Sequence, residues 1–187
     1  MPLAFLTADR AFDEAADDAP LPYDDRDQWR RPYRPGPWRV GAAAILLLLA
    51  SFVLVSAVII AAAGGMSGAA VTGALGLAVV ASALRLLRMG VWVNATGLRH
   101  VRFFLTRTTP WNRVRAVRTA QRPVKWLALP RTVQGQALEL VVREGAAEPA
   151  VLLTDHNADF LSRTEAFDRA ADAVEVWAYE YAPAARG

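Results

Sequence analysis

Between Arg39 and Arg85 the chain runs for 45 residues without a single charged side chain. A helix needs roughly 20 apolar residues to cross the hydrocarbon core of a bilayer, so this stretch has room for two passes and a turn. The first pass, about residues 40–63, holds thirteen Val, Ile, Leu and Phe residues, which favour insertion by about 4–8 kcal/mol. The second, about residues 69–87, holds eight, worth roughly 2–5 kcal/mol. Gly64, Gly65 and Gly68 between them supply the backbone freedom of a very short turn. Small residues on the second pass (Ala69, Gly73, Gly76) allow two backbones to approach closely, giving dispersion contacts that lipid cannot. The expectation is an antiparallel transmembrane hairpin over residues 38–89.

Orientation follows from the flanks. Arg30, Arg31, Arg34 and Arg39 precede the first pass; Arg85, Arg88, Arg99 and Arg102 follow the second; the turn carries no base. The positive-inside rule then puts both termini in the cytoplasm of a multi-pass protein of the cell (inner or plasma) membrane. Trp38, Arg39, Arg85, Arg88 and Trp92 fit the role of interface anchors, the arginines snorkelling to the headgroups and the indoles lying at their level. A soluble core hairpin fits so long an uncharged run poorly. A signal peptide is disfavoured too, because the apolar run starts near residue 40, after an acidic stretch.

The formal net charge of +3 is the sum of three unlike blocks. Residues 1–27 hold eight acids and two bases; residues 28–138 hold fifteen bases and no acid; from Glu139 onward ten acids face four bases. Twenty of the 21 bases are Arg, a bias that GC-rich coding explains. After the hairpin, Arg99, Arg102, Arg107, Arg113, Arg115, Arg118, Arg122, Lys125 and Arg131 fall in 33 residues without an acid. A base held near an anionic leaflet gains roughly 1 kcal/mol, so this block is expected to contact the membrane surface or a protein partner. Nucleic acid is not an expected partner, since no aromatic-studded RNA motif or recognition helix accompanies the charge.

Residues 1–37 show no sustained periodicity and are broken by Pro20, Pro22, Pro32, Pro35 and Pro37. They read as a disordered acidic, Pro-rich cytoplasmic tail, with room for a short helix near Phe5–Ala16. Pro32-Tyr33-Arg34-Pro35 matches the weak PxxP pattern. The acids either keep the tail solvated or fold back onto the basic block.

Residues 90–182 suffice for one small core. Gly90–Asn94 and Leu98–Thr106 read as strands around an Ala95-Thr96-Gly97 turn, and Thr109-Pro110-Trp111 breaks the run. Val114–Ala120, Val124–Leu129, Ala137–Arg143 and Ala150–Thr154 are further strands. Ala137–Arg143 has the cleanest alternation, with Leu138, Leu140 and Val142 on one face. Ser162-Arg163-Thr164-Glu165 reads as a capping box opening a helix whose buried stripe is Phe167, Ala171, Val174, Ala178 and Tyr181. Pro183 ends it, leaving a tail at 183–187. The fold class is α+β: a two-helix hairpin, then a small β-barrel with a C-terminal α-helix.

Three features together, Gly90-Val-Trp-Val-Asn-Ala-Thr-Gly-Leu98, Thr109-Pro-Trp-Asn-Arg-Val114 and the strand Leu138–Val142 after a membrane hairpin, resemble a known bacterial pattern. It is that of the pleckstrin-homology-like (PH-like) domains of two-span membrane proteins, especially those of actinobacteria. The resemblance implies a seven-stranded barrel with a C-terminal helix, usually non-enzymatic, and a structural role for Trp111. Phosphoinositide-binding members of the wider fold carry bases at the first hairpin loop; here Asn94–Gly97 is uncharged, which puts such a site in doubt.

Sites of catalysis are hard to find. The chain has no Cys, which removes thiol catalysis and thiolate metal sites. His100 and His156 are the only histidines, and no Ser/His/Asp or HExxH pattern surrounds them. Asp155-x-Asn157-x-Asp159 opens like an EF-hand loop, but Phe160 stands where Gly is needed and Ala166 where the bidentate Glu belongs, so a turn is the better reading. No Gly-rich loop precedes Lys125, and the Asn94-Ala95-Thr96 sequon falls on the expected cytoplasmic side. No catalytic residue, cofactor or metal site is expected. The reading is a non-enzymatic membrane protein presenting a cytoplasmic PH-like domain to anionic lipid or a protein partner. The alternative is an accessory subunit of a larger transport or cell-envelope complex.

Overall fold

The structure, a computed structural model, describes residues 26–143, 148–161 and 163–182. The expected helix near Phe5–Ala16, the acidic tail up to residue 25, the break at Glu144-Gly145, Ser162 of the capping box and the tail from Pro183 lie outside the described residues.

Two long helices form first, α1 (Pro37–Ala62) and α2 (Met66–Arg88). Pro37 opens α1 at a position where its missing N–H costs nothing. Gly64, at φ +86°, turns the chain in a conformation other residues resist. The contact between the helices is a stripe of small residues seven apart: Ala43, Ala50 and Ala57 on α1, Gly76 and Ala83 on α2. A Cβ added at Gly76 would lie 2.7 Å from Leu54 Cδ2, so glycine sets the close approach there. The large apolar side chains point the other way; Ile45, Phe52, Val58, Val71 and Leu77 are all exposed. This hairpin is inside-out by the standards of a water-soluble core, in which the large side chains face inward.

Six antiparallel strands follow, in two three-stranded sheets. The first sheet is β1 (Gly90–Asn94), β2 (Gly97–Val101) and β3 (Thr106–Pro110); the second is β4 (Val114–Lys125), β5 (Thr132–Val142) and β6 (Ala150–Thr154). The last helix, α3 (Thr164–Tyr181), closes the domain. Val91, Val93 and Leu98 from one sheet, Leu138, Leu140 and Leu153 from the other, and Phe167, Ala171 and Val174 from α3 share one core. Trp111 is buried in it, and its indole N–H donates to Asn94 O at 2.8 Å.

Several expectations are corrected. The expected strand Leu98–Thr106 ends at Val101, because the chain turns at 102–105, where Arg102 N–H donates to Leu105 O at 2.7 Å. A separate strand, β3, starts at Thr106 and runs through Thr109 and Pro110, where the sequence predicts a break. Val114–Ala120 runs on without a break through Pro123 to Lys125 as one strand, β4, and the expected strand Val124–Leu129 stops there, because Trp126–Ala128 form a 3-10 turn. Six strands, not seven, are present among the described residues. Helix α3 starts at Thr164, so its N-cap is Arg163, which gives no side-chain cap. Residues 26–36 are not a loose tail: Arg30 forms a bridge with Val93, extending the first sheet beyond β1, and Tyr33 packs on Phe160 with ring centroids 5.0 Å apart.

Candidate functional site: the foot of the hairpin and the basic surface

Helix α1 begins and helix α2 ends at the same place, here called the foot, and the domain is fastened there by a buried charge cluster. Asp159, in the turn before α3, is 1% exposed. Its Oδ2 accepts from Arg39 Nη2 at 2.6 Å and Arg31 Nη2 at 3.1 Å, and its Oδ1 accepts from Gly36 N–H at 3.0 Å. A carboxylate at the start of α1 complements the positive end of that helix. Arg39 also donates to Leu86 O and Met89 O, and Arg31 to Leu87 O, so both cations bond to carbonyls where α2 ends. One carboxylate thus caps the entering helix, while its two partners cap the leaving one. Both arginine Nε–H groups are buried without an acceptor among the described residues. The Arg31 guanidinium lies 4.5 Å from the Tyr33 ring centroid, and the Tyr33 hydroxyl accepts from Val91 N–H. Burial raises the pKa of that hydroxyl above its ordinary value, against the opposing pull of Arg31.

The expected interface anchors are distributed unevenly. Trp38 is 59% exposed at the start of α1 and Arg88 is exposed at the end of α2. Trp92 donates its indole N–H to Arg88 O. Arg39 stands at the expected level, but its guanidinium turns into the protein toward Asp159. Arg85 is likewise engaged: Nε donates to Phe103 O, and Nη2 to Arg102 O and Thr106 Oγ1, each at 2.9 Å. The turn between β2 and β3 is therefore held by a side chain of α2.

The nine-residue basic block does not form one face. Strand register separates a foot side, where Val101 pairs with Thr106 and Lys125 with Thr132, from a far side, where Gly97 pairs with Pro110 and Val114 with Val142. The β4–β5 turn is tied to the foot side by Leu127 N–H, which donates to His156 O in the turn that carries Asp159. Arg102, Lys125 and Arg131 are exposed beside the two foot-side turns. Arg107 and Arg113, joined by Arg143, line a cleft of about 460 Å³ with Thr108, Thr109 and Asn112, and no acid lines it among the described residues. Arg115 and Arg118 border a second hollow of about 380 Å³ that also contains Glu148. Arg122 and, more loosely, Arg118 pair with the buried Glu139, at 2.8 and 3.8 Å. Arg99 stacks 4.0 Å over Trp29.

The first hairpin turn is closed on itself. Asn94 Oδ1 accepts from Thr96 N–H, Thr96 Oγ1 and Gly97 N–H, and its Nδ2 donates to Asp27 O. With no base and no free amide of its own, this turn offers little to a headgroup. Asp155–Phe160 is likewise a turn, in which Asn157 Oδ1 accepts from Asp159 N–H and Phe160 N–H. No group of three or more His, Asp or Glu positioned for a metal occurs among the described residues. His100, on the same face of β2 as Leu98, has its pKa pushed down to about 4 by burial and secondarily by Arg102.

Sequence reasoning gave Asp159 no role beyond a broken EF-hand pattern. Nothing local marks it out among the polar residues of its turn, and the arginines it meets are 120 and 128 positions away. No curated protein and no solved structure matches the chain. The family model described as "Bacterial PH domain" does match, over residues 91–183. Its span opens within β1 and takes in both sheets and α3. That agrees with two sheets closed by a C-terminal helix around one core: residues 91–183 belong to the bacterial PH domain family.

Proposed function

We propose that the chain is an integral membrane protein with both termini cytoplasmic, whose PH domain rests on the anionic leaflet and serves as a contact module rather than an enzyme. The observation that carries this reading is the inside-out hairpin: its small side chains face each other, while its large apolar ones stand free over two helices long enough to cross a bilayer. Positive charge at the foot and none in the Ala63–Gly65 turn supports the orientation. Arg102, Lys125 and Arg131, exposed on the foot side, are the bases that meet the headgroups.

The test uses the full chain in nanodiscs, because Tyr33 and Arg30 from before the hairpin complete the domain. Phosphatidylglycerol is expected to raise the melting temperature relative to phosphatidylcholine alone, and salt to abolish the rise. Replacing Arg102, Lys125 and Arg131 by Gln removes about 3 kcal/mol of surface attraction and with it the lipid dependence. Equal melting in both lipids refutes the electrostatic part.

A second reading, an accessory subunit of a larger membrane complex, is favoured by Val176 and Tyr179, 62% and 64% exposed on the outer side of α3. A co-purifying membrane protein lost on replacing both by Ser supports it; a monodisperse chain without a partner counts against it.

A further inference from the structure

Among the described residues, the most exposed large apolar side chain outside the helical hairpin is Phe104, at 89%, followed by Leu105 at 70%. Both sit in the β2–β3 turn, where no glycine or proline shapes the chain and where a soluble domain ordinarily places polar residues. Phe103 packs edge-on against Phe104 with centroids 4.8 Å apart, so the turn presents one apolar knob. The three hydrogen bonds from Arg85 fix its position. Arg85 lies three residues before the end of α2, about 4.5 Å along the helix axis. The exposed Leu84 immediately precedes it. The knob is therefore continuous with the apolar flank of the hairpin, at the depth of its last turn. Arg102 and Arg107 on either side of it are exposed, as the rim of a lipid-inserted turn requires. Trp126 and Leu129 of the β4–β5 turn, also exposed, stand on the same foot side.

We infer that Phe103, Phe104 and Leu105 insert into the acyl–headgroup boundary of the bilayer the hairpin spans, as a third membrane contact. Arg85 gives its hydrogen bonds to the backbone of this turn and so serves as its positioning residue. Lipid, rather than a second protein, is the occupant because the knob adjoins the lipid-facing flank and is rimmed by bases. The inference rests on the membrane reading of the hairpin but not on leaflet charge.

The chain lacks cysteine, so single-cysteine variants take a fluorescent label at one site only. Full-length Phe104→Cys and Leu105→Cys, with Asn112→Cys on the far side as reference, are labelled in nanodiscs of phosphatidylcholine with and without phosphatidylglycerol. Brominated lipid is expected to quench the labels at 104 and 105 at least about twofold more than at 112, in both lipids. Arg85→Gln, confirmed as folded by near-UV circular dichroism, is expected to lose most of that difference. Quenching equal at all three sites, with iodide reaching each label, overturns the inference. So does shielding from both quenchers, which marks a protein contact. If the charge-dependent melting fails while quenching at 104 persists, the leaflet-charge reading falls and the insertion stands.

Discussion

Asp159→Asn removes one negative charge and leaves two guanidinium groups, 7–8% exposed, without their counter-ion. Breaking a buried pair in this way costs about 3–5 kcal/mol, because the remaining charge stays desolvated. Two structural details pull the figure toward the lower end. The asparagine oxygen can still accept from Gly36 N–H, and both arginines keep carbonyl partners at the end of α2. A loss of about 3 kcal/mol corresponds to roughly 12–24 °C in melting temperature for a domain near 100 residues. Tryptophan fluorescence of the full chain in detergent, with all variants scanned at one rate so that irreversible unfolding affects them alike, measures it. Arg26→Gln is the comparison: its 2.6 Å bridge to Glu180 is more than 40% exposed at both ends and is worth no more than about 1 kcal/mol. If Asp159→Asn melts within a few degrees of Arg26→Gln, the buried cluster is not what holds the domain to the hairpin. The triple replacement Arg31→Met, Asp159→Leu, Arg39→Met is expected to recover part of the loss, since an apolar cluster has no charge to desolvate.

Three other outcomes follow from the geometry. His100 has a folded pKa of about 4 against 6.5 when unfolded, so its contribution is complete above pH 6.5 and is lost as pH falls toward 4. The lowered value means that the unfolded chain binds the proton more readily. His100→Gln should flatten the melting temperature across that window, by up to about 3 kcal/mol, and an unchanged pH profile contradicts the burial. Ala57 Cβ lies 3.9 Å from where a Cβ on Gly73 would stand, within the usual span of a disulfide. Ala57→Cys with Gly73→Cys should therefore cross-link on mild oxidation, and a reduced product on non-reducing gels disproves the packing. Asn94→Ala deletes the acceptor of two backbone amides and a hydroxyl, an expected loss of about 2–4 kcal/mol in thermal melting; wild-type stability would show that water replaces the side chain.

What was legible in the sequence was local. The uncharged run gave both helices, and the seven-residue spacing of small side chains lies within it. Gly90–Asn94 and Ala150–Thr154 could be read as strands from composition, and Phe167, Ala171, Val174 and Ala178 from helical spacing. The turn at Phe103–Leu105 escaped because it contains no turn-forming residue; what bends the chain there is bonding from Arg85, at least 17 positions away. Arg118 and Arg122 looked like free surface charge because their partner, Glu139, comes from the neighbouring strand. Arg39 looked like a headgroup anchor for the same reason: a charge's role depends on what folds against it.

The cluster around Asp159 also has a consequence for biogenesis. Arg31 and Asp159 are 128 positions apart, and synthesis proceeds at about 5–20 residues per second. If the hairpin spans a membrane as proposed, it would therefore reach the insertion machinery several seconds before the residue that neutralises its foot has been made. On the proposed topology, Arg31 and Arg39 would until then be uncompensated cations on the side where translation takes place, which is where positive charge directs orientation. Once the last turn and α3 arrive, the same two charges would pass from directing insertion to locking the domain onto the two helices.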